Sequence, residues 1–184
     1  MTEINKIKII FLDIDGVLNV NRRQHDQYGQ LFHPEFVDNL KFIVDNTLAK
    51  IVISSTWRLS GIEVMREMWQ IRNLPGEIIG VTGRHETGIR GIEIEQYLEY
   101  MGFKRASWNK ETQIKYLENS VVSNYIVIDD DSDMLYYQKE HFIKTSCNYN
   151  HPDSIEGYGL TKLCAYKAIK TLNTPILDLY FTID

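Results

Sequence analysis

Five short apolar runs recur along the chain, at residues 7–12, 51–53, 78–81, 125–128 and 142–145. The strongest are continuous and β-branched rather than alternating with polar residues. That pattern suits strands buried on both faces of a parallel sheet. Helical spacing fills most of the gaps. Phe36, Leu40, Ile43 and Val44 form one stripe, with Pro34 at a suitable helix start. Ile62, Met65 and Trp69 form a second, and Ile94, Tyr97, Leu98 and Met101 a third. Ala165, Ala168, Ile169 and Leu172 form the last, with Thr161 as its N-cap. Parallel neighbours need crossover connections, so this alternation predicts an α/β fold: an open, mostly parallel, Rossmann-like five-stranded sheet sandwiched by helices.

Two stretches sit outside that plan. Residues 102–124 carry Lys104, Arg105, Trp108 and an extra helix near 111–117, and read as a small insertion beside the sheet. After Pro175 the chain is too apolar to stay comfortably in water. Residues 176–184 are therefore expected to pack within the monomer, as an added edge strand, or else to pair with another copy.

Length and composition narrow the picture. A chain of 184 residues fits one domain with a substantial core, spanning 1–184. A formal net charge of -5 argues against non-specific coating of nucleic acid, which needs a basic face, but leaves room for a local basic pocket. Cys147 and Cys164 form neither a CxxC pair nor a zinc spacing, and the histidines show no ligand spacing. No stretch approaches the ~20 apolar residues of a membrane span, and the first apolar run is too short for a signal peptide. The expected location is the cytoplasm.

Ligands of open α/β sheets bind beyond the carboxyl ends of the strands, so the residues just after each run matter most. The first run closes with Asp13-Ile14-Asp15-Gly16, the second with Ser54-Ser55-Thr56-Trp57-Arg58, and the fourth with Asp129-Asp130-Asp131-Ser132-Asp133. Two like charges ~4 Å apart repel by about 4 kcal/mol at an effective dielectric of 20. Clustering several carboxylates is costly unless a hard, oxygen-ligated cation such as magnesium sits among them. One acidic pair after a strand is commonly a turn or a cap; three such ends together point to a site.

These segments resemble the haloacid dehalogenase superfamily. Asp13-Ile14-Asp15-Gly16-Val17 looks like its first motif, Ser54 like its second, and Asp129-Asp130 with Asp133 like its fourth, a resemblance running over roughly residues 7–161. More narrowly, Ser-Ser-Thr-Trp-Arg, Arg90-Gly91-x-Glu93-Ile94 and Gly159-Leu160-Thr161 resemble phosphatase domains of nucleic-acid repair proteins. Those include domains fused to RNA-repair enzymes and polynucleotide kinase/phosphatases. The resemblance implies a magnesium-dependent phosphomonoesterase with an aspartyl-phosphate intermediate, Asp13 being the nucleophile and Asp15 the general acid/base. It implies a magnesium ion held by Asp13, the Asp15 backbone carbonyl, and Asp129 or Asp130. Ser54 would donate to a phosphoryl oxygen, and Ser55, Arg58 and Gly16 would line the substrate, with Gly16 also allowing a tight turn. The family's third motif is normally a lysine. Arg90, at the start of the third helix, fills that role here, with Lys110 and Lys115 as rivals.

Other residues have two readings each. Arg58 either points at substrate or makes a surface salt bridge. Trp57 either stacks on a base or packs. Arg22, Arg23 and His25 either line the entrance or belong to a solvated loop. Neither 19–51 nor 83–124 has room for a full cap domain, so the crevice is expected to stay open to a bulky substrate such as a nucleic-acid end or a nucleotide. Alternatives are a phosphoprotein or small-metabolite phosphatase on the same scaffold, a receiver-like phosphoacceptor, or a non-catalytic binding domain.

Overall fold

The first strand, β1 (Ile7–Leu12), is followed by a small hairpin, β2 (His25–Asp26) and β3 (Gly29–Gln30), and by helix α1 (Pro34–Thr47). Then come β4 (Lys50–Ile53), a 3-10 turn (Thr56–Ser60), α2 (Ile62–Ile71), β5 (Ile78–Val81), α3 (Arg90–Tyr100) and α4 (Lys110–Glu118). The chain continues through β6 (Val122–Asp129), a second 3-10 turn (Tyr136–His141), β7 (Phe142–Lys144), α5 (Lys162–Asn173) and α6 (Ile176–Tyr180). This computed structural model describes residues 5–20, 24–104, 109–146 and 157–181.

The main sheet has five strands in the order β5-β4-β1-β6-β7, and every pairing is parallel. Residues 9–12 of the central strand are fully buried, which explains their unbroken apolar run. Alternation sorts them between two cores. Ile10, Leu12, Ile51, Ile53, Ile126 and Ile128 face one way, against Phe36, Leu40 and Ile43 of α1, Met65, Met68 and Trp69 of α2, and Ala165, Ala168 and Leu172 of α5. Ile9, Phe11, Val52, Tyr125 and Val127 face the other way, against Ile94 and Leu98 of α3, with Leu117 of α4 packed alongside. Burying each such side chain contributes about 1.5–3 kcal/mol, so both helical layers are held by the sheet.

Local signals act where the sequence places them. Pro34 opens α1, and the Thr161 side chain accepts from the Cys164 N–H at 3.2 Å to cap α5. The C-terminal segment differs from the expected edge strand. Its described part is the helix α6, whose Ile176 and Tyr180 turn onto the second core. Four residues apart, these two share one helical face, whereas two-residue alternation in a strand would also have to bury Asp178. Residues 182–184 of the segment lie outside the described residues. So do Arg22, Arg23, Arg105 and Trp108, while His25 is exposed on β2. In the 102–124 stretch, α4 runs from Lys110 to Glu118, and β6 begins at Val122, ahead of the apolar run at 125–128. No described helix is long and apolar enough to cross a membrane.

From β1 the chain adds strands first on one side (β4, β5) and then, through α3 and α4, on the other (β6, β7). The order therefore reverses beside β1, the place where open α/β sheets leave a crevice at their carboxyl ends.

Candidate active site

Ladder hydrogen bonds continue one residue past each strand and so fix the residues that stand at the crevice. The Asp13 N–H donates to the Ile128 carbonyl at 2.9 Å, that of Ser54 to Leu12 at 3.0 Å, that of Thr82 to Ile53 at 3.0 Å, and that of Thr145 to Asp129 at 2.9 Å. Asp13, Ser54 and Asp129, distant along the chain, thus become neighbours through backbone geometry alone. Asp13, Asp129 and Asp130 each present a carboxylate oxygen, all within 4.8 Å of one another. A larger surface cavity, about 450 Å³, lies elsewhere, beside Glu77 and Ile78 at the beginning of β5. It holds none of this chemistry.

Burial sets the electrostatics. Asp13 is pushed up to about 6, chiefly by loss of hydration and against the pull of Arg90 and a hydrogen bond from Ser55. Asp129 is pushed up to about 7 by burial and then by the charge of Asp13, and Asp130 is raised for the same first reason. Two of these carboxyls have little reason to be charged together unless a cation joins them. Asp129 Oδ2 is also buried with no hydrogen-bond partner. Hard oxygen donors, an orphaned buried oxygen and suppressed ionisation fit a site for magnesium.

Arg90 brings a cation to the cluster. Its guanidinium lies 3.6 Å from Asp13 and 3.7 Å from Asp129, and its buried Nη1 makes no hydrogen bond. The helix start carrying it is pinned by Asp133, which accepts from the Arg90 N–H at 2.8 Å through its side chain and from the Gly91 N–H at 3.2 Å through its carbonyl. Lys110 and Lys115 are exposed on α4, which packs against α6 and whose Leu117 carbonyl accepts from Lys6. That contact lies just ahead of β1, away from its carboxyl end.

Gly16 is required twice over. Its φ of +74° is left-handed, and a Cβ there would stand 2.2 Å from Asp130 Oδ2. Asp15, one residue earlier, is exposed at the mouth of the crevice. Its Oδ1 accepts from Asn19 Nδ2 at 2.8 Å and its Oδ2 from Trp57 Nε1 at 3.0 Å. Neither sequence reading of Trp57 included this bond. Trp57 also packs against Phe32, and Arg72 lies over both rings while clamping Asp26 of the hairpin.

Arg58 corrects the surface-pair reading: it forms a buried 2.6 Å ion pair with Glu93. Its Nη1 donates to the carbonyls of Ser54 and Ser55 at 2.8 Å each, so it shapes the loop that carries those serines. Burial, partly offset by Glu93, pulls the guanidinium below its ordinary value, and the like charge of Arg90 pulls the same way. The Ser54 hydroxyl, beside Asp13, is buried without a partner. So is that of Thr82, which the sequence did not single out. A hydroxyl after a β-branched run was its only signal.

Comparison with curated proteins and with solved structures finds no match. Residues 9–149 do match the model of one family, the HAD domain in Swiss Army Knife RNA repair proteins. With the matched span running from within β1 through β7 and including every residue of the carboxylate cluster, the chain belongs to that family and hence to the haloacid dehalogenase superfamily.

Proposed function

We propose that this protein is a magnesium-dependent phosphomonoesterase acting through an aspartyl-phosphate on Asp13, with a nucleic-acid end or a nucleotide as substrate. The observation that carries this reading is the meeting of Asp13, Asp129 and Asp130 within 4.8 Å, faced by an Arg90 guanidinium that no hydrogen bond occupies at Nη1. Asp13, Asp129 or Asp130, and the Asp15 carbonyl would hold magnesium, which when bound supplies positive charge to the carboxylates and to the phosphoryl oxygens.

In the first step an Asp13 oxygen bonds to phosphorus as the ester bond breaks, and Asp15 gives its proton to the leaving oxygen. In the second, Asp15 takes a proton from the water that attacks the phosphoaspartate, releasing phosphate and restoring both carboxyls. The unpartnered Ser54 hydroxyl and Arg90 donate to the phosphoryl oxygens, where charge spreads during transfer. An exposed acid/base two residues from the nucleophile favours turnover over storage of the phosphate, which sets this reading above a receiver-like acceptor. The substrate class rests on membership of an RNA-repair family. It also rests on the small elements around the crevice: among the described residues, the only regular element between β1 and α1 is a hairpin of four paired residues.

A phosphate-release screen tests the proposal. It would cover 3′- and 5′-phosphorylated RNA and DNA, nucleotides, sugar phosphates and phosphopeptides, with the wild type and Asp13→Asn. Magnesium-dependent release from nucleic-acid ends or nucleotides, abolished in Asp13→Asn, is the expected result. Release only from phosphopeptides or sugar phosphates would overturn the substrate class, and full release by Asp13→Asn the mechanism.

A further inference from the structure

A cleft of about 210 Å³ opens beside the carboxylate cluster, and Thr56, Arg58, Arg84, Arg90 and Glu93 are among the residues that line it. Its charge runs against that of the molecule: three arginines and a single glutamate are among the described residues that line it, in a chain whose formal net charge is -5. Glu93, the carboxylate in the lining among the described residues, is already engaged. Its Oε2 accepts from Arg58 at 2.6 Å and its Oε1 from the His85 N–H at 3.1 Å.

Two of these arginines each keep one buried nitrogen without a hydrogen bond. Arg58 is 8% exposed, and its Nε is buried with no partner. Arg90 Nη1 is likewise buried and unbonded. Arg84 is exposed on the loop between β5 and α3. That loop is shaped at Thr82 by the ladder bond to Ile53 and at His85 by Glu93. Buried N–H groups left without acceptors are costly, and like charges gathered around one cleft repel. An anion would relieve both.

We propose that this cleft is a second anion subsite, with Arg84 as its specificity-determining residue. It takes the phosphate neighbouring the one removed, either the second phosphate of a nucleoside bisphosphate or the first phosphodiester of a polynucleotide end. The proposal deepens the phosphatase reading and rests on it. Arg90 links the two positions, because it lines the cleft and also stands 3.6 Å from Asp13. A phosphate on Asp13 and another in the cleft therefore share one guanidinium, which suits neighbouring phosphates of one chain. Among the described residues no aromatic ring lines the cleft, so it offers a base no stacking surface. It reads charge.

The test compares kcat/KM of wild type and Arg84→Gln on a nucleoside 3′-monophosphate, a nucleoside 3′,5′-bisphosphate, and trinucleotides phosphorylated at either end. The wild type should favour substrates with a second phosphate by roughly tenfold or more, since charge-assisted bonds contribute on that scale. Arg84→Gln should bring that ratio close to one and flatten its dependence on salt. The bisphosphate and trinucleotide arms separate the two sources of the neighbouring phosphate. A wild type without the preference, or a ratio unchanged in Arg84→Gln, overturns the subsite. Calorimetric titration of Asp13→Asn with the monophosphate and the bisphosphate, with and without Arg84→Gln, keeps the two readings apart. Tighter, Arg84-dependent binding of the bisphosphate by a protein whose wild type releases no phosphate would retain the subsite and sink the phosphatase reading. Turnover of every monoester without Arg84-dependent discrimination would do the reverse.

Discussion

Trp57 donates its indole N–H to Asp15 Oδ2 at 3.0 Å, across 42 residues of chain. With Asn19 holding Oδ1, the carboxyl proposed as acid/base is fixed in orientation from both sides. Trp57→Phe keeps the ring packed against Phe32 but loses this donor. It should lower kcat roughly tenfold with little change in KM, because a hydrogen bond to a charged group contributes about 1.5–3 kcal/mol, part of which acts in the transition state. A loss of kcat accompanied by a lower melting temperature and a disturbed KM would make Trp57 merely structural.

The two aspartates of the first motif should separate by magnitude. Asp13→Asn abolishes phosphate release, since an amide does not attack phosphorus. Asp15→Asn slows it by about 10²–10⁴-fold, the usual reach of general acid/base catalysis. Both proteins should keep the wild-type circular dichroism spectrum. Near wild-type turnover by Asp13→Asn would refute the nucleophile.

Metal and pH act through the same carboxyls. Asp13 and Asp129 sit at about 6 and about 7, above their ordinary value of 3.8. A carboxyl raised on folding favours the native state when protonated, and that benefit is lost as pH rises through the folded value. Without metal, Asp129→Asn should therefore raise the melting temperature by a few degrees at pH 8, with the gain fading below about pH 5. Magnesium should raise the wild-type melting temperature at pH 8 and lose its effect as pH falls through about 7 to 6. Thermal scans with magnesium or chelator check both, and a magnesium shift that grows on acidification would exclude this site.

The buried ion pair between Arg58 and Glu93 should be costly to break. Glu93→Ala leaves a buried guanidinium unpaired, a loss of about 3–5 kcal/mol. It also frees the loop carrying Ser54 and Ser55. Both stability and activity should fall, the first measurable by chemical denaturation. A change below ~1 kcal/mol would mean that Arg58 finds another partner.

His141 stacks on Tyr125 with ring centres 4.0 Å apart. One ring nitrogen lies 2.8 Å from the Tyr125 carbonyl and the other 3.1 Å from the Tyr180 hydroxyl on α6. Burial pushes it down to about 4 from 6.5. The unfolded chain takes up a proton first, so this contribution to stability is complete above pH 6.5 and is lost as pH falls to about 4. His141→Phe should flatten that acid decline. Deleting residues 176–184 should lower the melting temperature by about 10 °C, since two apolar side chains and a partner of His141 are lost. An unchanged melting curve would mean that α6 adds nothing.

Distance along the chain explains how much of this was legible beforehand. The strand ends announced themselves because a motif such as Asp13-Ile14-Asp15-Gly16 is contiguous, and the continuous, β-branched apolar run before it suits a strand buried on both faces. The chain by itself therefore determined the parallel sheet, its carboxylate-bearing ends and the superfamily. Tertiary structure alone decided which partners those residues meet. Arg58 and Glu93 are 35 positions apart, Arg90 and Asp133 43. A guanidinium looks the same in sequence whether it faces substrate, solvent or a buried glutamate. The C-terminal run was ambiguous for a related reason: five or six apolar residues suit either a strand or a short helix, and only the face left open on the second core selects the helix that places Ile176 and Tyr180 together.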